Sequence, residues 1–186
     1  MLVVAFVDLR GLARRLLREV TQRTEDSSVR TRLTEAALQS QSGPKQTATL
    51  YFPVYETGTL TAESRPITWA ATETDRIRQV LLGLIEGPHQ ARSPVLPPAT
   101  TVRAVFLALD GTAYVDLSNE VSAGIPPGIG SENLVAYSIV NSLTANIPAV
   151  KRVRFLIQGQ ESDTLSGHAD LSEPFLPGWG QIAPGP

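Results

Sequence analysis

Two stretches of the chain place apolar residues at intervals of three and four, the spacing of an amphipathic helix. The first spans residues 74–87 and the second spans residues 130–147. We therefore predict two helices that each bury one face. The apolar positions are Ile77, Val80, Leu81, Leu84 and Ile85 in the first stretch, and Ala136, Ile139, Val140, Leu143 and Ile147 in the second.

Local signals set the expected ends of both helices. Thr74 and Ser131 are predicted N-caps, because a hydroxyl can accept a hydrogen bond from a free amide of the first turn. Glu132 then places a negative charge at the positive end of the helix dipole. Gly87 and Pro148 are expected to end the two helices, since glycine suits a helix C-terminus and proline cannot continue a helix.

Five other segments alternate apolar and polar residues, the period-two pattern of a strand with one buried face. Asp110 and Gly111 separate two of them and give the strongest short hairpin signal in the chain. We expect the first two segments to pair antiparallel across a long loop over residues 55–64. The predicted strands cover residues 47–52, 65–71, 102–109, 112–117 and 152–158, and the first ends at Pro53.

The resulting order is strand, strand, helix, strand, strand, helix, strand. It predicts an α+β fold, in which a five-stranded and mostly antiparallel sheet packs on two helices as a two-layer sandwich. Because half of the strand positions are polar, we expect the second face of the sheet to be at least partly free.

The chain divides at a linker of small polar residues, glycine and proline over residues 40–46. Residues 1–46 form a predicted N-terminal helical extension, residues 47–175 form the domain, and residues 176–186 form a tail rich in proline and glycine. We expect the polar chain after Gly159 to return onto the domain through Phe175 and Trp179.

The N-terminal extension carries two features that bear on membranes. Residues 1–7 are apolar, which fits either a buried strand or the end of a signal or membrane anchor that precedes Met1. Residues 11–22 form a basic amphipathic helix. Such a helix can lie on an anionic membrane, but a solvated or packing helix is the favoured interpretation.

Composition excludes several classes of function. The 186 residues carry a net charge of −2, which argues against a general nucleic-acid binder. The chain has no cysteine, so disulfides, iron–sulfur clusters and cysteine nucleophiles are excluded. We predict no cofactor and no metal site, because the two histidines, His89 and His168, lie in different polar loops.

We find no catalytic set that outweighs a structural explanation, and we predict that the protein is not an enzyme. Residues 124–130 hold three glycines before a helix, but the two prolines among them favour a turn over a phosphate site. Asp116 could be catalytic but is expected to cap the loop that follows it. Asn141 is expected to bond a loop carbonyl, though contact with a partner stays open. Aromatic residues that suit either the core or a sugar-stacking surface are Tyr51, Tyr55, Trp69 and Tyr114.

Several short motifs resemble the GerMN domain, the sporulation and spore germination module, in their order along the chain. They extend from about Thr47 to about Phe175. Four residues within or beside them are candidate interaction or structural positions: Ser131, Glu132, Asn141 and Asp116. The motifs are Leu50–Pro53, Leu81–Leu84 with Gly87-Pro88, Ala113–Ser118, Gly130–Glu132, Val140–Leu143, Val150–Val153 and Gly159.

The resemblance implies an exported domain that is anchored at the membrane in the full-length protein. It also implies a non-enzymatic role in protein–protein assembly at the cell envelope, either with other envelope proteins or by self-association. The alternative hypothesis is a peptidoglycan-binding module that acts alongside a wall hydrolase. Both hypotheses exclude nucleic acid as a partner, and both leave room for membrane contact by the N-terminus.

Overall fold

The computed structural model of the chain describes residues 46–90, 93–123, 125–126 and 128–183. It confirms the predicted α+β class and element order. A two-residue strand follows the predicted set. The elements are β1 (Gln46–Val54), β2 (Thr59–Ile67), α1 (Glu73–Glu86), β3 (Val102–Leu107), β4 (Thr112–Leu117), α2 (Ile129–Asn146), β5 (Arg152–Ile157) and β6 (Gln160–Glu161).

The strands are divided between two sheets, whereas we predicted a single five-stranded sheet. β1 and β2 form a two-stranded antiparallel sheet, and the other strands form a four-stranded sheet in the order β3-β4-β5-β6. Among the strand pairs of the described residues, β4–β5 is parallel and the others are antiparallel. The β4–β5 pair is parallel because α2 lies between the two strands in sequence and carries the chain back across the sheet.

The β1–β2 hairpin is longer and its loop is shorter than predicted. β1 continues through Pro53, which pairs with Leu60, and β2 begins at Thr59. The amide of Gly58 donates to the carbonyl of Val54 at 3.0 Å, and Gly58 adopts a φ of 67°. The turn is thus tight, and most of the predicted loop over residues 55–64 is strand.

Both helices begin before their predicted caps. Thr72, not Thr74, caps α1, and its hydroxyl accepts the Asp75 amide at 3.1 Å. α2 begins at Ile129, so Ser131 lies inside its first turn and the predicted N-cap at Ser131 is wrong. The N-cap is a glycine, and among the described residues no side chain caps this helix.

β4, β5 and the apolar stripes of the two helices form most of the hydrophobic core, to which β1 adds Leu50 and Phe52. Leu143 of α2 is fully buried within it, as the helical spacing predicted. Core side chains from β4, β5 and the two helices include Ile77, Val80, Leu81, Leu84, Ala113, Val115, Leu117, Val135, Ile139, Val140, Leu143, Val153 and Phe155.

The chain after residue 175 stays in contact with the domain up to residue 183, within what we predicted to be a tail. Ile182 bridges Leu60 of β2, and the Ala183 amide donates to the Leu60 carbonyl at 2.9 Å. The predictions for the apolar N-terminus, the basic helix and most of the linker fall on residues 1–45, outside the described residues. Among the residues that are described, no helix is both long enough and apolar enough to cross a membrane.

Candidate functional site

Glu132 lies at the start of α2 with its carboxylate buried under the loop that follows β6. Its residue surface is 1% exposed. One oxygen accepts the backbone amides of Ser166, His168 and Ala169 at 3.0, 3.1 and 2.9 Å. The other contacts the His168 Nδ1 at 2.7 Å. The side chain therefore holds this loop against the helix.

The same contacts explain the ionisation of Glu132. Burial alone would raise the pKa of this carboxyl. The hydrogen bonds from Ala169, His168 and Ser166 outweigh burial and hold the pKa below its usual value of 4.5. Backbone amides stabilise the charged form of this carboxylate and occupy its oxygens. The group is therefore poorly placed to transfer protons.

Asp116 stands on β4 and caps the turn between β5 and β6. Its Oδ1 accepts the Gly159 amide at 2.8 Å, and its Oδ2 accepts from the Arg103 Nε at 3.2 Å. Gln158 and Gly159 have φ values of 56° and 78°, the left-handed pair of a two-residue hairpin turn. Asp116 thus caps a loop distant in sequence, not the loop that immediately follows it.

Asn141 makes a reciprocal pair of hydrogen bonds with one backbone residue. Its Nδ2 donates to the Gly178 carbonyl at 3.2 Å, and its Oδ1 accepts the Gly178 amide at 2.9 Å. Ser131 is partly exposed and lines an open groove of about 340 Å³ with Tyr55 and Asn133. The four candidate residues therefore serve different segments and do not form one site.

A polar stripe on α2, which the sequence analysis missed, closes the outer edge of β1. The Ser142 hydroxyl accepts the Tyr51 amide at 2.9 Å, and the Asn146 amide group bonds both the N–H and the C=O of Thr49 at 2.9 and 2.6 Å. The Ser138 hydroxyl donates to the Tyr51 carbonyl. The sequence could have indicated this stripe, because Ser138, Ser142 and Asn146 are spaced i, i+4, i+8 and so lie in a row on one helix face.

A buried ion pair, also missed, joins β2 to the end of α1. Arg65 contacts Glu63 at 2.7 Å, and its guanidinium donates to the carbonyls of Gly83 and Gly87. Glu63 also accepts the His89 amide at 3.2 Å. The sequence analysis placed Glu63 in a loop and Arg65 at the start of a strand, whereas both residues lie within β2.

The four-stranded sheet presents its second face outward, and we call it the open face. Phe106 is 63% exposed and its ring lies 6.1 Å from that of Tyr114. Arginines on or beside the face contact carboxylates, so their charge is locally balanced. The pairs are Arg103–Asp116 at 3.2 Å, Arg152–Asp110 at 2.8 Å and Arg154–Glu161 at 2.9 Å.

Three of the strand edges are covered. α2 closes β1, as described above, and Ala183 bonds the edge of β2, where Pro66 also lacks an amide. The outer edge of β5 is paired with β6 at one end. At its other end, Val153 and Phe175 exchange backbone hydrogen bonds of 2.9 and 2.7 Å. These contacts prevent another chain from adding a strand.

The outer edge of β3 differs from the others. Arg78 of α1 donates to the Val102 carbonyl at 2.9 Å, at the start of the strand. The Ala108 amide bonds Thr112, so by alternation Val105 and Leu107 direct their backbone groups away from β4. No other strand within the described ranges pairs with this edge. The open face and the β3 edge therefore meet in one accessible surface.

Comparison with known proteins places this architecture in a family. Residues 49–163, more than half of the chain, match the family described as sporulation and spore germination. The chain belongs to this family. Its domain is of the GerMN type, as the motifs predicted.

Solved structures of GerMN domains resemble this domain. The first GerMN domain of the sporulation protein GerM from Bacillus subtilis is 25% identical, with a TM-score of 0.56, over 70% of this chain and 96% of that one. A candidate lipoprotein from Clostridium perfringens is 25% identical, with a TM-score of 0.51, over 71% of this chain and 87% of that one.

The tandem GerMN domains of the same Bacillus subtilis protein share the fold at 23% identity and a TM-score of 0.57, over 70% of this chain. This chain matches 46% of the tandem chain, about one domain of the two. No curated protein sequence gives a significant match to this chain.

In the GerMN domain, the two histidines and Asp116 have separate partners. His168 contacts Glu132, whereas His89 contacts Glu86 at 3.2 Å and Asp116 contacts Arg103 and Gly159. In the part of the chain that the structure describes, no group of three or more His, Asp or Glu side chains is placed to hold a metal ion.

Proposed function

We propose that this GerMN domain is a non-catalytic assembly module of the cell envelope that binds other proteins through the open face and the β3 edge. The exposed Phe106–Tyr114 pair beside an uncovered strand edge carries the proposal. A large aromatic residue at a solvent-exposed strand costs solubility, and such residues are enriched where proteins bind one another.

The use of the polar residues supports a non-catalytic role. Glu132 and Asp116 each hold a loop through its backbone amides, and Asn141 bonds both polar groups of Gly178. A catalytic acid or base needs a proton-accepting atom turned toward a substrate. These side chains direct their polar atoms at the protein instead.

The charges of the surface support a protein partner over a nucleic acid. Arg103, Arg152 and Arg154 each contact a carboxylate within 3.2 Å. A nucleic-acid surface needs basic side chains that are free to contact phosphates. The open face is therefore a mixed aromatic and ion-paired surface, which suits a protein interface.

The location we propose is outside the cytoplasmic membrane, with the full-length protein anchored by its N-terminus. The support comes from the similarity to a candidate lipoprotein and from the apolar and basic stretches in residues 1–22. Fractionation of native cells tests this directly. We expect the protein in the membrane fraction. We also expect protease added outside spheroplasts to digest it. A protease-protected protein would contradict it.

Photo-crosslinking tests the contact surface. A photoreactive residue replaces Phe106 in the full-length protein and, as a matched control, Leu82, a 53% exposed residue on α1. After irradiation of intact cells, adducts with protein are expected at position 106 and not at position 82. Equal yields at the two positions, or no protein adduct at position 106, would contradict the proposal.

Binding to peptidoglycan is the second candidate function, and one groove favours it. Tyr137, Phe175 and Leu176 line an open groove of about 350 Å³ together with Asp170 and Glu173. An aromatic wall can stack on a sugar, and carboxylates can pair with the amino groups of wall peptides. Sedimentation with purified peptidoglycan tests it, with Tyr137→Ala as the variant. Retention that Tyr137→Ala abolishes would favour wall binding over assembly.

A further inference from the structure

Beyond the Arg78 contact at Val102, no segment among the described residues covers the outer edge of β3. The sequence of β3, VRAVFL, contains no proline and a single charge, at Arg103. Natural proteins protect edge strands with proline, inward charges, bulges or a covering segment, because an unprotected edge pairs with other chains. The register shift between Val102 and Ala104 bends only the start of the strand. From Ala104 to Leu107 the edge is regular and apolar.

The direction of the backbone groups defines how a partner would pair. Ala108 bonds β4, so Val105 and Leu107 present their N–H and C=O groups outward. Val105 and Leu107 direct their side chains to the core, and Phe106 directs its side chain to the open face. An added strand would therefore bond residues 105 and 107 and pack beside Phe106.

We propose that the occupant of this edge is a second copy of the chain, paired antiparallel through β3 with Phe106 on the twofold axis. This inference rests on the proposed assembly function and names its partner. In this register Val105 of one copy bonds Leu107 of the second copy, and Phe106 faces Phe106. The two four-stranded sheets join into one continuous sheet across the dimer.

Side-chain chemistry makes the pairing self-complementary. A position on a twofold axis meets its own copy, so it must be occupied by a residue that tolerates itself. Phe106 meets this condition, because aromatic pairs across strands are stabilising whereas like charges are destabilising. With Tyr114 beside each Phe106, the dimer carries a row of four aromatic rings along the open face.

Charge also selects an antiparallel second copy. Arg103 stands near the start of β3 and Asp110 follows its end, and their side chains are 44% and 56% exposed. Within one chain Arg103 contacts Asp116 and Asp110 contacts Arg152. Antiparallel pairing places Arg103 of one copy opposite Leu109 of the second copy, one residue from its Asp110. A parallel pairing would instead bring like charges together. Two antiparallel copies of β3 therefore place opposite charges near each other.

A charge swap at the axis tests the proposal with the full chain. Sedimentation velocity is expected to give a dimer of the 20.0 kDa chain. Phe106→Lys and Phe106→Glu are each expected to weaken dimerisation at least about tenfold, because like charges meet on the axis. An equimolar mixture of the two variants is expected to restore the dimer. The matched changes Leu82→Lys and Leu82→Glu should leave dimerisation unchanged.

A single cysteine gives an independent readout. The chain has no cysteine, so Phe106→Cys introduces the sole thiol. Residues opposite each other in a non-hydrogen-bonded pair lie within disulfide range. Mild oxidation is expected to convert most of this variant to a covalent dimer, whereas Leu82→Cys should dimerise without forming the covalent link.

Three outcomes would overturn the proposal: a monomeric chain, a mixture that fails to restore the dimer, or equal crosslinking at positions 106 and 82. These outcomes are separable from failure of the proposed function. If position 106 crosslinks to other proteins in cells while the purified chain is monomeric, the assembly function stands and the second copy is the wrong partner. Unchanged circular dichroism melting of the Phe106 variants excludes misfolding as the cause of a lost dimer.

Discussion

The outer edges of β1 and β3 both carry backbone N–H and C=O groups that do not bond a neighbouring strand. Side chains of α2 bond these groups at β1, whereas at β3 the groups of Val105 and Leu107 face outward. At β1, Ser138 and Ser142 of α2 bond the carbonyl and the amide of Tyr51, and Asn146 bonds both backbone groups of Thr49. Because the side chains of α2 bond the backbone groups of β1, another chain cannot add a strand at this edge. The β3 edge stays available for such pairing.

The two edges therefore differ in what a mutation should do. Changes along α2, which closes β1, should alter the stability of the folded domain. Changes at the edge of β3 should alter association and leave stability nearly constant.

The largest effect is expected in the core beneath α2. Leu143→Asp places an unpaired charge in a fully buried position and should destabilise the domain by more than about 4 kcal/mol, enough to unfold it. The control Leu82→Asp, at an exposed position of α1, should change the free energy of unfolding by about 0.5 kcal/mol or less. Urea denaturation measures both. A folded Leu143→Asp variant would contradict the helix assignment.

Removing one hydroxyl from α2 should have an intermediate effect. Ser142→Ala leaves the Tyr51 amide without its acceptor and should cost about 1–2 kcal/mol. Ser131→Ala is the matched change on the same helix and should cost less than about 0.5 kcal/mol, because Ser131 is not the N-cap. Equal losses in urea denaturation would show that the hydroxyl of Ser142 does not close the edge.

Acid should weaken the attachment of the loop that Glu132 holds. Because the folded pKa of Glu132 lies below the unfolded value near 4.5, its stabilisation is complete above that pH and is lost as the pH falls through the folded pKa. Each unit of pKa difference contributes about 1.4 kcal/mol. Melting temperatures between pH 7 and pH 3 should therefore fall less steeply in Glu132→Gln than in the wild type. An equally steep fall in Glu132→Gln and in the wild type would show that the Glu132 carboxylate does not hold the loop.

The smallest effect on stability is expected at the β3 edge. Phe106→Ser removes an exposed ring and should change the free energy of unfolding of the monomer by about 0.5 kcal/mol or less. Denaturation at low protein concentration measures it. A loss above about 2 kcal/mol would show that Phe106 belongs to the core, and it would remove the contrast between the two edges.

The sequence predicted those features that depend on neighbours along the chain. The apolar stripes of α1 and α2 follow from helical periodicity, and the β3–β4 hairpin follows from Asp110 and Gly111. The division into two sheets was missed, because it depends on side chains of α2 that bond β1 more than 90 residues earlier in the chain.

The candidate site shows the same limit. Glu132 was singled out for its position at a helix start, but its amide partners lie 34 to 37 residues away and no local pattern points to them. Glu63 was placed in the predicted loop over residues 55–64, and its buried partners, Arg65 and the His89 amide, became visible in the structure alone. Contacts between distant parts of the chain determine the role of Glu132 and the extent of β2, and local sequence preferences do not reveal them.

Amide hydrogen exchange by NMR, followed at several protein concentrations, tests the contrast between the edges most directly. The account predicts that the Thr49 and Tyr51 amides are protected at every concentration, because α2 bonds them within one chain. It predicts that the Val105 and Leu107 amides exchange fast in dilute protein and become protected as the concentration rises. Fast exchange at Val105 and Leu107 at every concentration, or exposed amides at Thr49 and Tyr51, would contradict it.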